Sequence, residues 1–131
     1  MFKIRNAPLA LLSGMVLGMT ASEMSAQPAG STKQFIYVLR LVPRLHDPKA
    51  WTDRDNASVA AHFKRLQEAT AQRKVILAGR TDEPPSVTFG LVIFEARDQT
   101  EAKAFMEADP TVIDGVMVAQ LHPYSVALMR K

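Results

Sequence analysis

The chain has 131 residues, 47% hydrophobic and 22% charged, with formal net charge +3 and no cysteine. That balance excludes disordered, collagen-like and disulfide-stapled classes and makes one folded domain the default. So small a basic excess, with no block of Lys or Arg, argues against a nucleic-acid partner. The missing cysteines remove thiolate nucleophiles, thiol redox motifs and cysteine zinc sites.

The first residues read as an export signal. Lys3 and Arg5 make a basic start, Ala7 to Met19 is apolar apart from Pro8, Gly14 and Gly18, and Thr20 to Ala26 is small and polar. A membrane span needs roughly 20 apolar residues, so this run is too short for one. Ala26 suits a cleavage site, although Met24 is large for its place and cleavage after Ser22 is the alternative. The division expected is a signal peptide over 1–26, a flexible linker over 27–33 and one domain over 34–131. The mature protein is expected to be nearly neutral, periplasmic or secreted, with no stable membrane span.

Phe35 to Val42 is β-branched and aromatic, apolar on both faces except at Arg40, and stopped by Pro43; it reads as a central strand. Pro43 to Asp55 is a long loop holding His46-Asp47 and Trp51. From Asn56 to Arg73 the steps Val59, Phe63, Leu66 and Thr70 predict a helix, with Asp53 or Asp55 suited to its N-terminus. Val75 to Ala78 predicts a short second strand, and Thr81 to Ser86 with Pro84-Pro85 a turn. Val87 to Glu95 predicts a third strand in which Gly90 marks a bulge or a close approach.

Asp98 and Glu101 have capping-box-like spacing for a second helix with Ala102, Phe105 and Met106 as its apolar stripe, stopped at Asp109-Pro110. Val116 to Leu128, interrupted at Pro123, supplies the last strand. The order β-α-β-β-α-β predicts an α+β, ferredoxin-like fold: a four-stranded antiparallel sheet with two helices on one face. Strands apolar on both sides leave the second face needing cover, and a homodimer packed sheet on sheet is the expected solution.

Three histidines, His46, His62 and His122, are the candidates for acid–base chemistry near neutral pH. His62 lies three residues after Val59 and four before Leu66, at the edge of the buried stripe, where a histidine bonded to a backbone carbonyl is the commoner outcome. Asp109 alters that balance. It continues the stripe of the second helix at the end where the dipole disfavours a carboxylate, so it calls for a partner. Forming the Asp-Pro turn is its simpler role. Helices on one sheet face can bring the two side chains together, and a paired carboxylate orients an imidazole and fixes its tautomer for general acid or base work. His62 and Asp109 are therefore the candidate catalytic residues.

Arg80 is a candidate for binding an anionic substrate, Trp51 for stacking and His122 for lining a pocket, each weighed against an ordinary structural or solvated role. In His46-Asp47 neighbouring loop side chains diverge, and a polar turn is expected. Nothing has metal-ligand spacing, so neither metal nor cofactor is expected.

The pattern Ala61-His62-Phe63, Val75-Ile76-Leu77-Ala78-Gly79, Phe89-Gly90-Leu91-Val92-Ile93-Phe94-Glu95, Met106-Glu107-Ala108-Asp109-Pro110, Gly115-Val116 and Leu121-His122-Pro123-Tyr124 resembles the YciI-like (YCII-related domain) family. The resemblance runs from about Gln34 to Leu128. It implies a dimeric ferredoxin-like fold of the dimeric α/β barrel type and a His-Asp site, carried onto His62 and Asp109. Two positions depart: a glycine common before the second strand is Arg73-Lys74 here, and a proline common after Ala-Gly is Arg80. One branch of the family is similar to a cofactor-free dehydrochlorinase of chlorinated hydroquinones.

The leading expectation is an exported protein using His62 as acid or base and Asp109 as its orienting carboxylate on a small, aromatic metabolite. The alternatives are a non-catalytic ligand-binding or structural dimer module and a cofactor-free monooxygenase on a related fold.

Overall fold

Along β1 (Lys33–Leu41) every second residue is buried: Phe35, Tyr37 and Leu39 point inward, and Ile36 and Val38 line the other side. A pleated strand imposes this alternation. The computed structural model describes residues 30–131; the expected signal peptide, and the linker as far as residue 29, lie outside the described residues. β1 pairs with β3 (Gly90–Ala96) and β4 (Met117–Tyr124), and β2 (Val75–Arg80) pairs with β3. The sheet is antiparallel throughout, in the order β2-β3-β1-β4.

Helices α1 (Asp53–Ala71) and α2 (Gln99–Glu107) supply Leu66, Ala69, Ala102 and Met106 to a core shared with Phe35, Tyr37, Leu39, Val92 and Phe94 of the sheet. The chain is thus α+β and ferredoxin-like, as its sequence predicts. It also carries a short third helix, α3 (Pro110–Ile113).

Several boundaries move, each for a local reason. The long loop after β1 is folded into two 3-10 turns, Pro43–His46 and Pro48–Ala50. α1 starts at Asp53 with Thr52 as its N-cap, and Asp53 and Asp55 both lie in the first turn, at the N-terminus their sequence suits. Thr52 and Asp55 form a reciprocal capping box, and Asp55 also takes a two-pronged bond from Arg44 at 2.8 and 3.0 Å. β3 starts later than expected because the Val87 and Thr88 amides turn back to the Pro84 carbonyl. The last strand ends at Tyr124 and runs through Pro123, which is tolerated because β4 is an edge strand.

Of the two readings of Gly90, a bulge or a close approach, the bulge lies elsewhere, and the Gly79 carbonyl oxygen stands 3.5 Å from where a Cβ at Gly90 would be. Val75 pairs with Phe94 and Leu77 with Ile93, so Ile76 is an extra residue in β2. Beyond it the alternation is inverted. Ala78 opposes Val92, and Arg80 opposes Gly90, which in turn opposes Leu39; both side chains therefore leave the sheet on the helix side. Leu77 falls on the face that no helix among the described residues covers, here called the uncovered face, with Ile36, Val38, Leu91, Ile93 and Val118.

Candidate active site

Successive turns of α1 carry Ser58, His62 and Arg65, and each is tied to the segment that follows the third strand. The Ser58 hydroxyl donates to the Pro110 carbonyl at 3.1 Å, and Arg65 Nη2 donates to the Phe105 carbonyl at 2.8 Å. Between them His62 meets Asp109. An ionised carboxylate can only accept, so Nδ1 carries the proton and donates to Oδ2 at 2.7 Å and Oδ1 at 2.9 Å. Among the described residues every hydrogen bond of the imidazole uses Nδ1, and the ring lines the cleft described below. Nε2 is the nitrogen available to a ligand.

Asp109 is fully buried and accepts from more than the imidazole. The Tyr37 hydroxyl donates to Oδ2 at 2.8 Å, and the Thr111 amide and hydroxyl donate to Oδ1 at 3.0 and 2.8 Å. Burial pushes the carboxyl up, but the bonds and charge of His62, with the bonds from Thr111 and Tyr37, outweigh it and hold Asp109 below its ordinary value. Burial first, then the adjacent carboxylate, push the Tyr37 phenol far above its ordinary range, so it remains a neutral donor. Its ring stands edge-on to Phe94, with centroids 5.6 Å apart, and 6.2 Å from the Phe105 ring.

α2 ends at Glu107 and Ala108 caps it, so Asp109 does not sit at that helix's C-terminus. It is the N-cap of α3, with Pro110 in the first turn, where a carboxylate is favoured. Asp109 therefore forms the Asp-Pro turn and meets His62 as well.

The imidazole opens onto an apolar cleft of about 1110 Å³ between α1 and the β2–β3 end of the sheet, walled by Leu39, Val59, Phe63, Leu66 and Val92 among others. Trp51 and Arg80 also line it. The Trp51 indole N–H donates to the Leu45 carbonyl at 3.0 Å, so this side chain anchors its loop while facing the cleft. His122 is not in the cleft: it opposes Ile36 on the uncovered sheet face, because alternation along β4 turns it away from the helices. His46 bonds the Leu41 carbonyl at 3.3 Å and Asp47 caps the next turn, so these two do diverge.

Tyr37 and Thr111 were not singled out from sequence. Tyr37 had a signal, because it lies between Phe35 and Leu39 on one side of a strand, and a buried tyrosine hydroxyl needs a partner. Among the described residues no group of three His, Asp or Glu side chains could hold a metal ion.

No curated protein matches the chain. Among solved structures it is similar to 5-chloro-2-hydroxyhydroquinone dehydrochlorinase (TftG) from Burkholderia phenoliruptrix AC1100, in complex with 2,5-dihydroxybenzoquinone. The TM-score is 0.53 and the identity 20%, over 70% of this chain and 93% of that one. At that identity the likeness speaks for the fold. The YCII-related domain model matches residues 39–123, a span that holds His62 and Asp109 and most of the sheet, and the chain belongs to that family.

Proposed function

We propose that the protein is an enzyme that moves a proton on a small aromatic metabolite, with His62 Nε2 as general acid or base. Asp109 holds the ring in the Nδ1–H tautomer and stabilises its protonated form when one is generated. The observation that carries this reading is the 2.7 Å bond from the His62 ring to a fully buried carboxylate, on a ring that lines an apolar cleft. Such a pair needs no further group to give or take a proton.

The similar solved structure is that of a dehydrochlorinase named for a chlorinated hydroxyhydroquinone, which supports an aromatic ring as substrate. A screen of chlorinated hydroquinones and other small phenols tests the reading. Turnover is expected to fall by about two to four orders of magnitude in His62→Ala. Equal rates in the two proteins would sink it, and oxygen uptake with quinols would favour a monooxygenase instead.

We also propose that the working protein acts outside the cytoplasm as a homodimer. Export rests on the basic, apolar and small-polar order of residues 3–26, and the N-terminus of exported material is expected near Gln27. The dimer rests on the uncovered sheet face, where Leu77 is 54% and Val118 58% exposed.

A further inference from the structure

We infer that Arg80 makes the cleft selective for a small aromatic anion, whose negative oxygen pairs with the guanidinium while the ring lies against the apolar wall. This deepens the reading above and rests on it for the identity of the site. The charge inventory of the cleft carries the argument. Its lining is apolar or neutral apart from Arg80 and the His62 ring, with no carboxylate and no ammonium group, and Asp109 is fully buried behind that ring. Arg80 is exposed at the rim, and its side chain makes no hydrogen bond or ion pair among the described residues, whereas Arg40 reaches the Val87 carbonyl and lies 5.1 Å over the Phe89 ring. Arg80 is thus a charge without a counter-charge at the edge of an apolar space, and an anionic ligand supplies one.

The fold spends a specific device on placing it. With unbroken alternation from Val75, residue 80 would leave β2 on the uncovered face; the extra residue Ile76 turns it to the helix side and the cleft. The cleft volume of about 1110 Å³ is far more than one ring fills. A fixed charge at its edge is what would give a single ring a defined seat relative to His62.

Benzoate and benzamide, nearly the same shape and differing in charge, are the probes. Trp51, the single tryptophan and a cleft residue, reports their binding by fluorescence. Benzoate is expected to bind about fivefold or more tightly than benzamide, the effect of one partly solvated charge pair. Arg80→Gln should bring the two within about twofold of each other, and His62→Gln should keep the preference. Equal affinities in the parent protein, a preference that survives Arg80→Gln or vanishes in His62→Gln, or no saturable binding of either probe would each overturn the inference. Binding is read without turnover, so an inactive substrate screen leaves this result standing, and loss of charge selectivity leaves the His62 test standing.

Discussion

At the Asp109 carboxylate the ordinary conservative replacement is not conservative. Four donors converge on its two oxygens: the Tyr37 hydroxyl, His62 Nδ1, and the Thr111 amide and hydroxyl. An asparagine has one acceptor oxygen and presents an N–H pair where the other stood. If the oxygen stays with Thr111, the amide nitrogen faces His62, and the ring can satisfy it only by moving its proton to Nε2. Asp109→Asn is therefore expected to switch the tautomer and remove the base, with kcat down by about two to four orders of magnitude. Ring-nitrogen NMR of His62 checks the switch directly; an unchanged Nδ1–H signal would sink the explanation.

Tyr37→Phe is milder. It removes one bond to a buried charge and keeps the aromatic packing, and is expected to cost about 1.5–3 kcal/mol in thermal or denaturant unfolding. The sign of the pH effect follows from the direction of the Asp109 shift. The folded carboxyl lies below its ordinary value, so its contribution to stability is present above about pH 4 and is lost as pH falls through the lower folded value. Below about pH 4 the parent should therefore lose stability more steeply than Asp109→Ala. The comparison is needed because Glu101, pushed down to about 2 by Arg97 and Lys74, acts in the same sense.

Elements differ in how legible they are. The split βαβ order is readable because the first three strands are short β-branched or aromatic runs and each of the two long helices has a stripe at three- and four-residue steps. The ends are less so, because they depend on where single backbone bonds go, as at Thr52 and Pro84. The His62–Asp109 pair is readable because a carboxylate on an apolar stripe asks for a partner, even though α2 stops sooner than that argument assumed. Tyr37 is only partly legible: its place between Phe35 and Leu39 marks it as a residue that needs a partner if buried, but a strand apolar on both faces does not say which side looks inward.

The extra residue in β2 left no mark at all: Val75 to Ala78 contains neither glycine nor proline. The end of α1 offers a test of its own. Arg73, just past the helix, adopts φ 64°, a left-handed conformation that costs most side chains about 1–2 kcal/mol. Glycine removes that strain but loses more entropy on folding, so Arg73→Gly should stabilise the protein by about 0.5–1 kcal/mol. A lower melting temperature for this variant would contradict the account.

For the whole molecule, the sheet divides two tasks between its faces. Helices and cleft occupy one, and the apolar residues proposed to pair two copies occupy the other. A lysine at Ile93, in the middle of the uncovered face, would place an unpaired charge in the interface. Ile93→Lys is expected to give a monomer by sedimentation while leaving the His62–Asp109 contact on the far side intact.

Pairing through that face also fixes where the two clefts lie. In such a dimer they would look outward from opposite sides, separated by both sheets, with neither roofed by the other copy. Occupation of one then has no direct route to the other. Titration should give one ligand per chain with a Hill coefficient of about 1, so the assembled protein would respond to its ligand in simple proportion rather than as a switch.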